Sequence, residues 1–309
     1  MRDEHVKEEV GTVHANSIVV IGGTGRLGEP VTRRLRADGY VVRVFTRSPE
    51  KARAKFGAEC EIVVGDVEDQ LSLDVALKGC HGVHINLDGG PDPDLERRGV
   101  ENITRAAVKA GIQRISYLSG ATVSEENCWF VGTHAKFHAE AAIRASGVPY
   151  SIFKPTFFME SLPSYVRGKR ASVIGHQPHA WHWVAAADYA RMVSRAYAAS
   201  AAANKDFYVY GPQPYTLREA LQKYCAIVHP EATVGNLPLW AASMLARLTR
   251  QKELEALLPF FRYTEKSGEK GDPTEANTLL GAPTTTLEQW CESQLRSSPI
   301  CIKARTDSG

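Results

Sequence analysis

The 309-residue chain has no apolar run near the roughly 20 residues a membrane span needs, because charge or glycine interrupts each one early. No membrane span is expected. Net charge is almost absent too, at +2, which gives no reason to expect a nucleic-acid partner. The first sixteen residues, MRDEHVKEEVGTVHAN, lack an apolar core and mix both signs of charge, so neither a secretory signal nor a transit peptide is expected. Six cysteines include no C-x-x-C pair, the pattern of reduced thiols in a cytoplasmic protein. His134 and His138 stand at i, i+4, and His176, His179 and His182 fall in a short loop-like segment, but no carboxylate or thiolate spacing accompanies them. No metal site is expected. Internal repeats and low-complexity tracts are also missing.

What is present is 43% hydrophobic residues against 23% charged, the composition of an ordinary globular protein. The most informative stretch is residues 17 to 28, SIVVIGGTGRLG. Its uncharged β-rich run reads as a strand buried on both faces, followed at once by Gly22, Gly25 and Gly28. That spacing permits a sharp turn, a close approach of backbone N–H groups to a pyrophosphate, and tight packing of the next helix on the strand. The helix N-terminus then presents free donors and partial positive charge to an anion. The stretch from Pro30 to Ala37 reads as that helix, closed by Gly39.

A regular beat follows. Strands are expected at Val41–Thr46, Cys60–Val64, Gly82–Leu87, Arg114–Leu118 and Val148–Phe153, with helices at 49–56, Leu71–Lys78, Leu95–Ala110 and His134–Ala145. Such repeated units build a parallel sheet with helices on both faces and ligands beyond the strands' carboxyl ends. The fold class is therefore α/β, a doubly wound Rossmann sheet with a small, mainly helical C-terminal lobe. About 20 residues past the glycines, where an acid would bind a ribose 2′-hydroxyl, the chain has Arg47, and Arg26 lies inside the glycine loop. Two guanidinium groups converging on a 2′-phosphate favour NADP(H). Asp66, in Gly65-Asp66-Val67 after the third strand, reads either as an adenine partner or as a cap of the next helix.

GGTGRLG, VVRVFTRSPEKA, GDVED, GVENITRAAVKAGIQRISYLSG, HAKFHAEAAIRASGVPYSIFKPTFFMESL and WHWVAAADYARMVSRAY together resemble the NmrA-like branch of the atypical short-chain dehydrogenases/reductases, over residues 17 to 210. The resemblance implies an NADP-preferring Rossmann domain with a variable lobe over the nicotinamide. Family members include quinone reductases, isoflavone-reductase-like enzymes, photosystem assembly factors and co-regulators that bind the cofactor without a known reaction. The main superfamily has a tyrosine four residues before a lysine; here Gly132 stands four before Lys136, so that acid is absent. By the resemblance Lys136 is the first catalytic candidate, polarising or protonating the substrate, and Ser119 occupies the place of the carbonyl-binding serine. His134 is the second candidate acid, able to act with Lys136 only if it precedes the helix proper. The competing reading of Lys136 is an exposed i, i+4 pair with Glu140. Pro155, Phe157 and Phe158 are implied under the nicotinamide, with Met159 and Tyr165 widening an apolar pocket. The cofactor set is then Gly22, Thr24, Gly25, Arg26, Leu27, Gly28, Arg47, Asp66, Val67, Leu87, Lys136, Pro155, Phe157 and Phe158.

Further on, Ala171–Gly175, Trp181–Val184 and Phe207–Tyr210 read as strands, and Asp188 as the cap of a helix to Ala199. Thr216–Val228, the apolar Pro238–Thr249, Leu254–Phe261 and Thr286–Leu295 read as helices, with a polar, turn-rich segment at 265–278. The apolar pair would form a lid or a partner surface. The expected organisation is an extension at 1–16, a nucleotide domain at 17–154, a substrate lobe at 155–296 interleaved with the last sheet strands, and a loose tail at 297–309. Two functions fit: an NADPH-dependent reductase of a small apolar carbonyl, quinone or activated alkene, or a non-catalytic NADP(H)-sensing regulator or assembly factor with a protein partner on its C-terminal helices.

Overall fold

The computed structural model describes residues 16–90 and 92–297. The expected extension and tail thus lie almost wholly outside the described residues. Strands and helices alternate from the start: β1 (Ser17–Ile21), α1 (Gly28–Ala37), β2 (Val41–Thr46), α2 (Pro49–Phe56), β3 (Glu61–Val64), α3 (Gln70–Leu77) and β4 (Gly82–Ile85). Next come α4 (Leu95–Ala110), β5 (Arg114–Leu118), α5 (Val131–Ala145) and β6 (Tyr150–Pro155). A 3-10 turn at Met159–Tyr165 leads to β7 (Val166–Arg167), β8 (Arg170–Ile174), β9 (Ala180–His182), α6 (Ala186–Ala198) and β10 (Lys205–Val209). The chain closes with β11 (Pro214–Thr216), α7 (Leu217–Val228), β12 (Thr233–Leu237), α8 (Leu239–Thr249), α9 (Lys252–Lys266), α10 (Thr274–Leu280) and α11 (Leu287–Ser297).

Seven strands pair in parallel in the order β10-β6-β5-β4-β1-β2-β3. The order reverses between β1 and β4, so their connections leave on opposite faces and open a crevice at their carboxyl ends. In β1, Ile18 and Val20 pack with Val31 and Leu35 of α1 and Met192 and Val193 of α6, while Val19 and Ile21 pack with Leu73, Val100 and Ile103 of α3 and α4. Burial of each such side chain contributes roughly 1.5–3 kcal/mol. The lobe adds a three-stranded sheet, β12-β8-β7, and a β11-β9 pair to its helices.

Four expectations need correction. α5 begins at Val131, so His134 lies inside the helix, not ahead of it. Asp188 sits within the first turn of α6, whose cap is Ala185; its carboxylate instead accepts the Thr284 and Thr285 amides at 3.1 and 2.8 Å and pairs with Arg191, pinning the last loop. Residues 265–278 are not all turn, because Ala276 and Leu280 give α10 an apolar side that joins the core beside α6. Met159 is fully buried in the lobe's own core with Leu162 and Trp183, and leaves the pocket to its neighbours.

One polar network crosses the sheet centre. His84 of β4 meets the Ser116 hydroxyl at 2.8 Å, and Ser116 meets the Tyr197 hydroxyl at 2.8 Å. Complete burial disfavours the imidazolium and holds His84 down at about 3. Its folded pKa is below its unfolded value, so the unfolded chain takes up the proton first and stability is lost as pH falls from about 6.5 toward 3. We expect the stability difference between pH 7 and pH 5, measured by urea unfolding, to be about 2 kcal/mol smaller in His84→Asn than in the unaltered protein. Identical pH dependence in the two would refute the assignment.

Candidate cofactor and active site

The crevice begins at the glycine corner. Gly22 has φ +76°, and a Cβ there would collide with the carbonyl oxygen of Asn86 at the end of β4. Only glycine joins β1 to the loop in this conformation. Gly28 opens α1 so close to the Gly22 carbonyl that it too has no room for a Cβ, whereas a Cβ on Gly25 would meet only the Gly22 oxygen, at 3.2 Å. The outer side of Gly25 is therefore open, a cradle for a group that approaches the backbone. Leu27 caps α1 without a side-chain hydrogen bond, which leaves the helix N-terminus available to an anion.

From this corner extends a cleft of about 1360 Å³. Every residue of the expected cofactor set borders it except Gly28, which buttresses the corner from behind. The two arginines do not converge. Arg47 is exposed and lies 3.8 Å from Asp66, while Arg26 turns the other way and donates to the Glu160 carbonyl at 3.1 Å and the Ser164 hydroxyl at 3.2 Å. The cation beside Arg47 is Lys51, which the sequence reading missed; it borders the cleft with Ser48 and stands four residues on, across the start of α2. Asp66 does not cap α3. Asp69 does, accepting the Leu71 amide, and Asp66 accepts the Glu68 amide at 3.0 Å within the preceding turn.

Lys136 also borders the cleft. Its Nζ lies 2.5 Å from Glu96 Oε1, donates to the Leu118 carbonyl at 3.3 Å, and sits 5.6 Å from the centre of the Tyr117 ring. Both residues border the cleft, but the lysine side chain is 26% exposed and the Glu96 side chain 7%, so the pair meets it chiefly at its cationic end. Tyr117 donates to the same Glu96 oxygen at 2.7 Å; burial and the adjacent carboxylate push its phenol well above the usual range. The expected Glu140 pairing does not form, since Glu140 is buried beneath Lys154, Arg144 and Ser119. Ser119 borders the cleft, but its hydroxyl donates its proton to Glu140 at 2.5 Å and so has only lone pairs left to offer there.

The structure gives no support to His134 as an acid. It is exposed on α5, its ring tilted against that of His138 with centroids 4.4 Å apart, and outside the cleft. His179 and His182 bond separately to the Glu265 carbonyl and the Glu269 carboxylate, and among the described residues no three metal-ligating side chains come together. Sequence reading also missed Glu96, because an acid in the first turn of a helix is ordinarily a dipole partner. On the lobe side Phe157 packs edge-on against Trp181 at 4.8 Å and Phe260 at 6.1 Å, and Tyr165, Leu245, Leu254 and Leu257 complete an apolar wall. Phe158 is half core, packed on Tyr189.

Strand order, glycine corner and switch-point cleft define an NAD(P)-binding Rossmann protein. A family profile described as NAD(P)H-binding matches residues 22–198, and the chain belongs to that family, in the NmrA-like, atypical short-chain group that its motifs resemble. A (4-alkanoyl-5-oxo-2,5-dihydrofuran-3-yl)methyl phosphate reductase from Streptomyces griseus is 32% identical over 205 residues, 65% of this chain and 70% of that protein. An NAD(P)H azoreductase from Xenophilus azovorans is 25% identical over 199 residues, 63% and 68% of the two chains. Citrobacter sp. triphenylmethane reductase, solved with NADP(H), superposes with a TM-score of 0.73 over 90% of this chain and 99% of that one, at 19% identity, a likeness of fold. No helix among the described residues is long and apolar enough to cross a membrane.

The cradle can be filled without disturbing the core. Gly25→Val should change stability by no more than about 1 kcal/mol yet weaken dinucleotide binding at least tenfold, since the new side chain occupies space meant for the ligand. Calorimetric titration beside a thermal melt checks this, and undiminished affinity would remove the diphosphate from this corner.

Proposed function

We propose that the protein is an NADPH-dependent reductase of a small apolar carbonyl, quinone or activated alkene. The observation that carries this reading is the Lys136 ammonium, fixed by Glu96 and the Leu118 carbonyl on the wall of a cleft larger than the roughly 300–1,000 Å³ of a single small-ligand site. A dinucleotide leaves room there for an acceptor. The Streptomyces and Xenophilus relatives are both reductases, which supports the class.

The residues fit the cofactor. The open face of Gly25 and the α1 N-terminus would hold its diphosphate, Val67 and Leu87 its adenine, and Arg47, Ser48 and Lys51 a 2′-phosphate. When bound, the reduced nicotinamide supplies a hydride. The chain's part is to orient the acceptor and deliver a proton. Phe157, Trp181 and Phe260 present an apolar wall that excludes water, and Lys136 Nζ, anchored from behind, directs an N–H at the acceptor oxygen or carbon that gains the proton. Glu96 holds the Lys136 amine in place while the Tyr117 hydroxyl fixes the carboxylate from its buried side.

A panel of quinones, aldehydes and enones with NADPH tests the class. Lys136→Ala should lower kcat for the best acceptor by about 10²–10⁴-fold, the usual contribution of a positioned acid, with little change in NADPH affinity. Tight NADPH binding without turnover of any acceptor would favour the non-catalytic, NADP(H)-sensing regulator instead. Nucleotide preference is separately measurable: Arg47→Ala should cost at least about tenfold in affinity for NADP and leave NAD binding unchanged. Equal affinity of the unaltered protein for both nucleotides would overturn the preference.

A further inference from the structure

The lobe's share of the cleft is not uniformly apolar. Along β8, Arg170, Ser172 and Ile174 all border the cleft, as alternate residues of one strand must if they share a face. Ala171 and Val173 take the opposite face and pack into the lobe core. The cleft-facing row thus grades from a guanidinium through a hydroxyl to an apolar end, where Ile174 pairs with Leu237 of β12.

β7 sharpens this gradient. Arg167 is the direct antiparallel partner of Arg170, and both border the cleft. Like charges directly opposed across a strand pair are destabilising. Among the described residues neither guanidinium has a carboxylate within ion-pair distance, and the lobe contributes no acidic side chain to the cleft at all. Arg26 reaches into the same quarter from the glycine loop, its hydrogen bonds going only to a carbonyl and a hydroxyl. Two uncompensated guanidinium groups, Arg167 and Arg170, thus border one end of a pocket whose other end is aromatic and aliphatic, whereas Arg26 also feels the Glu160 carboxylate.

We infer that the acceptor carries an anionic group, a phosphate or a carboxylate, which seats between Arg167 and Arg170 while its apolar body lies toward Ile174, Leu237 and Phe260. This deepens the reductase reading and narrows its substrate class from simply apolar to amphipathic. An anion at that place relieves the repulsion between the arginines and gains charge-assisted, bidentate hydrogen bonds. The rival occupant is the cofactor's own diphosphate, to which Arg26 is the nearest of the three in sequence.

The test uses the full chain saturated with NADP and three probes of one shape: 2-naphthol, 2-naphthoate and 2-naphthyl phosphate, titrated calorimetrically at low and high salt. The inference expects an anionic probe to bind at least about tenfold more tightly than naphthol at low salt, with the advantage shrinking as salt rises. The order of naphthoate and naphthyl phosphate tells which anion the site takes. In the double variant Arg167→Ala, Arg170→Ala the advantage should vanish while naphthol and NADP affinities hold; both positions are exposed, so the fold is spared. Naphthol binding as tightly as the anions overturns the inference, as does a double variant that loses NADP affinity, which would give the arginines to the cofactor. Failure of the reductase reading looks different: an intact anion advantage with no turnover of any quinone, aldehyde or enone, charged or neutral.

Discussion

The close contact of three backbone segments at the Gly22 corner is the constraint on which the molecule is built. β1 must turn where the Asn86 carbonyl closes off any side chain, and α1 must start against the Gly22 carbonyl. Because those approaches leave no space for a Cβ, α1 is seated on the sheet at a fixed depth, and its N-terminus faces the crevice between β1 and β4. Around that corner the cleft is bordered by the strand ends of the sheet and, on its far side, by side chains of α8 and α9.

A second organising feature is the use of two buried carboxylates as clamps for cations. Glu96 gathers Lys136 and Tyr117, and Glu140 gathers Lys154, Arg144 and Ser119. Burial pushes Lys154 toward neutrality, but the Glu140 and Asp206 carboxylates more than offset it and hold the ammonium above its usual range. A buried ion pair of this kind is a weak source of net stability, since desolvation cancels much of the attraction, but it fixes geometry. The two clamps differ in outlook: Lys154 is enclosed, whereas Lys136 has its charged end in the cleft. Position along the sheet separates an enclosed lysine from one that meets the cleft.

How much of this was legible in the sequence depended on the kind of signal. β2, α4 and β5 have the bounds read from their apolar patterns, because glycine or polar residues mark both ends of each. The glycine corner was equally plain, since few sequences need three glycines at that spacing between a buried strand and a helix. The start of α5 was not, because Phe130 occupies its cap without any side-chain hydrogen bond, and the resulting three-residue error is what made His134 look usable. α10 was hidden by the polar residues around Ala276 and Leu280, whose apolar side has meaning only once α6 lies beside it. Glu96 and Lys51 were invisible for a related reason: a helix-surface charge acquires a role from what the tertiary fold sets opposite it.

Arg26 has a span that no other residue of the glycine loop shares. Its backbone belongs to the corner, and its side chain ends on the Glu160 carbonyl and the Ser164 hydroxyl, in the segment that leads into β7 and β8. One side chain thus tethers the nucleotide-facing loop to the opposite wall, and displacing either bank pulls on the other. A second tie, from the Tyr263 hydroxyl to the Thr122 carbonyl at 3.4 Å, joins the lobe to the sheet side of the same cleft, so its width is held at two separate points.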